Sequence, residues 1–125
     1  METPCPFCSR SGALFENEHA YVREDKFPVS PGHLLIIPKR HVPDWFSLTE
    51  EEQQAVLALL SRAKEYLDVW YHPDGYNIGI NCGKAAGQTV FHVHMHLIPR
   101  YAGDVENPRG GVRGVIADKK DYLSG

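Results

Sequence analysis

The sequence predicts an α+β domain in which an antiparallel sheet of about five strands packs against one long helix. Three observations predict it: short apolar runs bounded by glycine and proline, one long stretch with helical spacing of apolar residues, and hairpin-length connections late in the chain. The 125 residues can bury one core, and no repeat or linker divides them. We therefore expect a single domain over residues 1–125, with an irregular C-terminal arm at 103–125 that is rich in glycine, proline and charge.

The first part of the chain predicts three short strands. Residues 13–25 alternate loosely between apolar and polar, and Glu16-Asn17-Glu18 is typical of a turn between two extended pieces. The next strand is the apolar run from His33 to Ile37, which Pro38 closes. Because this run is apolar on both sides, we expect it to lie inside the sheet with both faces covered.

A long helix is predicted to begin near Ser47. The sequence Ser47-Leu48-Thr49-Glu50 has the form of a capping box, with Ser47 as N-cap and Glu50 returning to its amide. Acidic residues follow in the first turn, where the helix dipole favours them. His72-Pro73-Asp74-Gly75 is typical of a helix end. The apolar residues expected on the buried face recur at steps of three and four: Val56, Leu59, Leu60, Ala63, Leu67 and Trp70.

Two further strands are expected after the helix. The first covers Tyr76 to Asn81, and a glycine-rich loop from Cys82 to Gly87 separates it from a strand over Val90 to Ile98.

Composition limits the class of protein and its partners. A net charge of −3 gives no basic surface for duplex nucleic acid, and no segment is long and apolar enough to act as a signal peptide or to span a bilayer. Three cysteines are too few for a secreted disulfide framework. We therefore expect a cytoplasmic protein with neither nucleic acid nor a membrane as partner.

The segment His92-Val93-His94-Met95-His96 is the most informative part of the sequence. Alternate side chains of a strand share a face, so the three histidines line one face while the apolar residues between them anchor the strand in the core. A single metal held by all three is awkward, because residues four apart on a strand are separated by roughly 13 Å. Division of labour among the histidines is the favoured interpretation, and three histidines that merely form hydrogen bonds at a surface are the alternative.

The loop before the histidines suits an anion. Gly83 and the run Gly87-Gln88-Thr89 place backbone amides and neutral hydrogen-bonding side chains beside the imidazoles, which is typical of a phosphate site. An ordinary hairpin turn explains the loop equally well.

The run from Gly87 to Arg100, GQTVFHVHMHLIPR, resembles the signature of the histidine triad (HIT) superfamily. Ser30-Pro31-Gly32-His33 and Tyr101-Ala102-Gly103-Asp104 match that family as well, and the likeness extends from about Cys5 to Asp104. Its details are more similar to the fragile-histidine-triad branch, which hydrolyses dinucleoside polyphosphates, than to the phosphoramidase branch. The resemblance implies a HIT-like fold whose sheet continues across a homodimer.

The resemblance also implies catalytic roles. His94, the middle histidine, would attack the α-phosphorus and form a covalent nucleotidyl-histidine that water hydrolyses. His96 would stabilise the phosphoryl oxygens or help proton transfer to the leaving group, and His33 would support both. A neutral imidazole is a good nucleophile near pH 7, so this chemistry is physically reasonable.

Substrate contacts follow from the same resemblance. Asn81 and Gln88 would hold the phosphate, Thr89 would contact a bridging oxygen, and Asp25 would bind the ribose hydroxyls. An adenine would lie on apolar residues near Phe7, Tyr21 or Phe27. An ordinary solvated aspartate is the alternative for Asp25.

Cys5 and Cys8 have the spacing of metal ligands, although a lone Cys-x-x-Cys also suits redox chemistry. Bacterial members that resemble this chain complete a zinc site with residues that match His41 and His92. The zinc would be structural and would tie an N-terminal segment, residues 1–12, to the sheet.

Several functions stay open at this point. Hydrolysis of a diadenosine tetraphosphate-like substrate is favoured; nucleoside phosphoramidates, a zinc-dependent hydrolase and a non-catalytic nucleotide-binding module are the alternatives. Arg109 and Arg113 in the C-terminal arm would either reach a polyphosphate or belong to a solvated tail.

Overall fold

The computed structural model describes residues 4–122, and its main feature is a five-stranded antiparallel sheet with one α-helix. The strands lie side by side in the order β1-β2-β3-β5-β4, and every neighbouring pair is antiparallel. The predicted α+β class is therefore confirmed. The elements are β1 (Phe15–Glu16), β2 (Ala20–Glu24), β3 (Leu34–Pro38), α1 (Glu50–Trp70), β4 (Gly75–Ile80) and β5 (Met95–Arg100).

Strand β3 lies at the centre of the sheet, as its uninterrupted apolar sequence predicts. All five of its residues are buried, because strands flank it on both sides and other parts of the chain cover both faces. The register pairs Leu35 with Arg23 of β2 and with His96 of β5. Those three side chains consequently share one face of the sheet.

The two faces of the sheet are covered differently. Helix α1 packs on one face through Val56, Leu59 and Leu67. On the other face lie Tyr21, Leu35 and Ile37, and the partly buried Phe7 and Ala13 pack against them. The histidines of interest lie on this second face, away from the helix.

The helix begins two residues later than the sequence pattern predicts. Thr49 is the N-cap and forms a capping box with Glu52, whereas Ser47 ends a short 3₁₀ turn that Asp44 caps. Arg40 selects this register, since its guanidinium binds both carboxylate oxygens of Glu52 at 2.7 and 2.9 Å. This contact lowers the pKa of Glu52 to about 2.

The predicted apolar face of α1 is correct at Val56, Leu59, Ala63 and Leu67 but wrong at Trp70. Trp70 is 70% exposed, and it is the last residue of the helix. No helix within residues 4–122 is long and apolar enough to cross a bilayer.

The turn that leads into β3 depends on Gly32. Its φ is +88°, and a Cβ there would lie 3.0 Å from the side chain of Leu67 and 3.1 Å from that of Tyr71. Glycine is therefore required both by the backbone conformation and by the close approach of the end of α1.

Strand β5 begins at Met95, not at Val90 as predicted. The preceding residues leave the ladder because Val93 N–H donates to Val42 O at 2.8 Å, outside any strand pairing. The predicted alternation of buried side chains is still present, since Val93, Met95 and Leu97 are all buried. His92 and His94 thus precede the strand, and His96 alone of the three lies within it.

The C-terminal arm contains 3₁₀ turns at Gly111–Val115 and Ala117–Lys119 and no strand or α-helix as far as Tyr122. Its arginines face the arm itself. Arg113 donates to the carbonyls of Lys119 and Lys120, and Arg109 pairs with Asp121 at 3.7 Å. In this structure both arginines therefore contact the arm, and a contact with a polyphosphate stays a prediction.

Candidate active site

An open cavity of about 430 Å³ lies on the sheet face opposite the helix. It is walled by the ends of β2 and β3, by the loop before β5 and by the N-terminal segment. The sequence-predicted residues that line it are Asp25, His33, Asn81, Thr89, His94 and His96.

The tautomer of His33 is fixed by the backbone. The amide N–H of Val29 donates to His33 Nδ1 at 3.2 Å. Because an amide nitrogen can only donate, Nδ1 accepts, and a neutral His33 carries its proton on Nε2. The sequence gives no sign of this contact, since it involves only the main chain of Val29.

The proton on His33 Nε2 in turn determines the tautomer of His96. His33 Nε2 lies 2.9 Å from His96 Nδ1, so the Nε2–H donates and His96 Nδ1 accepts. A neutral His96 then carries its own proton on Nε2. The result is a chain of donors that runs from Val29 through His33 to His96 in the cavity wall.

Burial keeps both imidazoles neutral. Desolvation lowers the pKa of His33, and the charge of Asp25 offsets this effect in part. Desolvation is the main cause that lowers the pKa of His96 to about 4, and the neighbouring imidazoles of His94 and His33 disfavour a positive charge on it further. Near pH 7 both rings are therefore uncharged, in agreement with the fixed tautomers.

His94 has the opposite arrangement. Its Nδ1–H donates to the carbonyl oxygen of His92 at 3.0 Å, which leaves the lone pair on Nε2. The ring lines the cavity, is only partly buried and belongs to neither group of potential metal ligands among the described residues. Its Nε2 is thus chemically suited to nucleophilic attack.

Asp25 faces the histidine pair more closely than the sequence suggests. One carboxylate oxygen accepts from the amide of Phe27 at 2.8 Å, and the other lies 3.4 Å from His33 Nε2 and 3.8 Å from His96 Nδ1. The three ligand atoms are close enough for a metal. A metal would need the lone pair of His33 Nε2, however, and the contact from Val29 keeps the proton on that atom.

The phosphate-binding candidates are placed differently from one another. Asn81 and Thr89 are exposed and line the cavity. Gln88 is 3% exposed, and its amide donates to the carbonyls of Pro43 and Val90 and accepts from the amide of Gly83. Gln88 therefore holds the loop in this structure, and its phosphate contact stays a prediction.

A second cluster consists of Cys5, Cys8, His41 and His92, whose ligand atoms lie within 4.8 Å of one another. The sulfurs of Cys5 and Cys8 are 3.4 and 3.6 Å from His92 Nδ1, and Cys8 Sγ is 3.1 Å from His41 Nδ1. Tetrahedral zinc with ordinary bond lengths would place sulfur and nitrogen ligands about 3.6 Å apart. The two-thiol, two-imidazole donor set therefore fits zinc, and the cluster can bind a metal.

His92 is oriented as a ligand. It is completely buried, and its Nε2–H donates to the carbonyl of Pro38 at 2.7 Å, which leaves the Nδ1 lone pair facing the sulfurs. A metal-binding histidine typically has such a partner on its far nitrogen. His92 differs from His94 and His96 in burial, because it is completely buried whereas both of the others are partly exposed.

The fold and these two clusters define a class: a one-helix α+β domain with a histidine-based cavity beside a Cys₂His₂ cluster. Comparison with known families identifies it further. The profile described as "HIT domain" matches residues 9–103, so the chain belongs to the HIT domain family.

Individual relatives agree with this assignment. A HIT-like protein of Mycoplasma genitalium is 42% identical over 103 residues, which cover 78% of this chain and 73% of the relative. A bis(5'-adenosyl)-triphosphatase of Dictyostelium discoideum is 40% identical over 98 residues, covering 78% and 66%. A zinc-bound histidine triad family protein of Mycobacterium smegmatis superposes with a TM-score of 0.74 at 36% identity, covering 82% and 79%.

Proposed function

We propose that this protein is a nucleotide hydrolase that cleaves dinucleoside polyphosphates through a covalent intermediate on His94. One observation carries the proposal: in a single open cavity, His94 presents a free Nε2 lone pair beside the Nε2–H of a neutral His96. A nucleophile and a neutral donor for phosphoryl oxygens are the two groups that such a displacement requires.

In the first step, Nε2 of His94 attacks the α-phosphorus. A nitrogen–phosphorus bond forms, and the bond from phosphorus to the bridging oxygen breaks with its electron pair on the leaving polyphosphate. The Nδ1–H stays bonded to the carbonyl of His92, which stabilises the positive charge of the new imidazolium. His96 donates from Nε2 to a phosphoryl or bridging oxygen.

In the second step, water attacks the same phosphorus. The nitrogen–phosphorus bond breaks, its electron pair returns to Nε2 of His94, and the water proton leaves to solvent. A nucleoside monophosphate is released, and the histidine is regenerated. The covalent intermediate divides one difficult displacement into two easier ones.

Substrate recognition would use the polar cavity wall. Asn81 and Thr89 line the cavity and would contact phosphate oxygens, and Gln88 shapes the loop that carries Thr89. Asp25 would accept hydrogen bonds from the ribose hydroxyls with the oxygen that its contact with Phe27 leaves available.

The neutral state of His96 favours a phosphoanhydride over a phosphoramidate. A polyphosphate leaves as an anion and needs only hydrogen bonds, whereas an amine needs a proton. Because the pKa of His96 lies at about 4, the ring is not a ready acid near pH 7. The similarity to a bis(5'-adenosyl)-triphosphatase and to an AP-4-A phosphorylase of Mycobacterium tuberculosis supports the same choice.

Zinc at the second cluster would be structural. Four protein ligands close the coordination shell, so the ion would have no position for substrate or water. It would fix the N-terminal segment against the sheet. Thiolate ligands of this kind persist in a reducing compartment, so the proposal places the protein in the cytoplasm.

A homodimer is part of the proposal. The outer edge of β4 pairs with no strand among residues 4–122, and exposed apolar side chains lie beside it. Ile78 and Val115, which are 46% and 80% exposed, border a second hollow that reaches His33 and His96. A partner chain that extends the sheet at β4 would cover them, and sedimentation equilibrium would show twice the chain mass.

The decisive experiment compares diadenosine tri- and tetraphosphate with an adenosine phosphoramidate. We expect turnover of the dinucleotides, an acid-labile adenylyl adduct on wild-type protein, and neither with His94→Asn at unchanged zinc content. Activity that survives in His94→Asn would exclude the covalent route. Nucleotide binding without turnover by the wild type would indicate a binding module, and faster cleavage of the phosphoramidate would reverse the substrate preference.

A further inference from the structure

We propose that Phe7 is a positioning residue for His94, and that it links the occupancy of the Cys₂His₂ cluster to the order of the nucleophile. This inference rests on the proposed function only for the role of His94 as nucleophile. The packing arguments are independent of that role.

The ring of His94 has one polar restraint, one apolar restraint and a contact with the ring of His96. The polar one is the hydrogen bond from Nδ1 to the carbonyl of His92. The apolar one is the ring of Phe7, whose centroid lies 4.8 Å from that of His94 at an interplanar angle of 55°. The ring of His96 is the third contact, with its centroid 5.1 Å away at an interplanar angle of 63°. Phe7 is the nearer of the two rings, and no strand pairing holds His94, because it precedes β5.

Phe7 itself is held on several sides. Its carbonyl accepts from the hydroxyl of Tyr21 at 2.6 Å, and the guanidinium of Arg23 lies 5.9 Å above its ring. The ring also stands edge-on to His92 with centroids 6.2 Å apart. A side chain fixed in this way can restrict a neighbour, whereas a mobile one cannot.

The position of Phe7 in the sequence connects it to the metal cluster. It lies in the short loop between Cys5 and Cys8, whose sulfurs both face His92. A metal would pin both ends of this loop to His92 and His41. Without the metal, the loop is held by weak sulfur contacts and by hydrogen bonds from Tyr21 and Arg23 to its carbonyls, so the ring would have more freedom.

Two of the three contacts of His94 thus lead back to the same cluster. His92 supplies the carbonyl that binds Nδ1, and the cysteine loop supplies the ring of Phe7. Metal binding would therefore restrict the nucleophile as well as stabilise the fold.

A positioning role differs measurably from a role as a wall for the nucleobase. Loss of a wall weakens substrate binding and raises KM. Loss of positioning leaves KM little changed and lowers kcat, because fewer molecules present Nε2 correctly. An aromatic contact of this kind corresponds to a fall in kcat of roughly three- to tenfold.

The test uses the zinc-loaded full chain as wild type, Phe7→Ala and Phe7→Leu, with Phe27→Ala as the matched control that removes another aromatic of the cavity. The measurement is exchange with water of the Nδ1 proton of His94, followed by ¹⁵N NMR, which requires no hydrolytic activity. We expect exchange at least about fivefold faster in Phe7→Ala, intermediate in Phe7→Leu and unchanged in Phe27→Ala. Unchanged exchange in a folded, zinc-loaded Phe7 variant overturns the proposal.

The metal link has its own comparison. Removing zinc with EDTA should accelerate exchange in the wild type to the level of zinc-loaded Phe7→Ala and should add little in Phe7→Ala. Additive effects, or a wild type that takes up no zinc, overturn the link. If exchange behaves as expected but no variant hydrolyses a nucleotide, the proposed function fails while the positioning role stands.

Discussion

The two histidine clusters use the same side chain for opposite purposes, although only a few residues separate them in the sequence. In the Cys₂His₂ cluster, the far nitrogen of His92 donates to the carbonyl of Pro38, so the near nitrogen presents a lone pair. In the cavity, Val29 donates to the far nitrogen of His33, so the near nitrogen presents a proton. The first histidine can bind a metal, and the second passes a hydrogen bond to His96.

The comparison shows that the backbone group bonded to one ring nitrogen determines whether the other nitrogen presents a lone pair or a proton. Where a carbonyl accepts the proton of one ring nitrogen, as in His92 and His94, the other nitrogen keeps a lone pair and can act as a ligand or a nucleophile. Where an amide N–H donates to one ring nitrogen, as in His33, the other nitrogen carries the proton and acts as a donor. Distances alone do not distinguish the clusters, because both bring three or more potential ligands within 4.8 Å. The following predictions test the distinction.

The largest expected effect is on the rate of hydrolysis, and it distinguishes the cavity from the metal cluster. His94→Asn removes the nucleophile, and we expect the rate of dinucleotide hydrolysis to fall by about 10⁴-fold. Its zinc content, measured by atomic emission, should match the wild type. His92→Asn should instead lose zinc, so equal zinc loss in both variants would mean that the two clusters are one functional unit.

The second effect concerns stability. Cys8→Ser removes one of four ligands, and we expect zinc to be lost and the melting temperature to fall by roughly 10 °C, because metal that binds only the folded state stabilises it. His33→Ala provides the control from the cavity and should keep its zinc. A Cys8→Ser protein with unchanged metal content and melting temperature would contradict the assignment.

The third effect is a dependence of stability on pH. The pKa of His96 is about 4 in the folded protein, whereas an unperturbed histidine, as in the unfolded chain, has a pKa of 6.5. Between these two pH values the unfolded chain therefore binds more protons than the folded protein. Stability should therefore fall as the pH drops from 6.5 to 4, by at most about 3 kcal/mol from this residue.

Urea denaturation at several pH values measures this loss. The metal cluster also weakens in acid, so the comparison is with His96→Asn, which should lose less stability over the same window. Identical pH profiles would show that His96 is not held neutral by burial.

The smallest effect tests the donor chain. His33→Asn keeps a hydrogen-bonding side chain but removes the imidazole that fixes His96, and we expect kcat to fall by about 10- to 100-fold. The KM for diadenosine triphosphate should change little. A raised KM with unchanged kcat would assign His33 to substrate binding instead.

Much of the fold follows from the sequence because the patterns involved are those of side chains. The apolar run of β3 predicts its central place, and the spacing from Val56 to Leu67 predicts the buried face of α1. The start of the helix does not follow, since Thr49-x-x-Glu52 has the same capping-box form as Ser47-x-x-Glu50. Arg40, which lies outside the local pattern, binds Glu52 and so supports the box that forms.

The site is predictable in its members but not in its arrangement. The histidines and cysteines are visible in the sequence, and the resemblance to the HIT family groups them. The partners that give each ring its role are main-chain atoms of Val29, Pro38 and His92, which any residue supplies. No residue type marks such contacts, so only the three-dimensional structure reveals them.

Gly32 gives the end of the helix an influence on the cavity. It precedes His33 directly, and a methyl group there would press on Leu67 and Tyr71. Any larger residue would have to displace the helix terminus or shift the imidazole that follows. Related sequences are therefore expected to keep glycine at this position, although Gly32 is not among the residues that line the cavity.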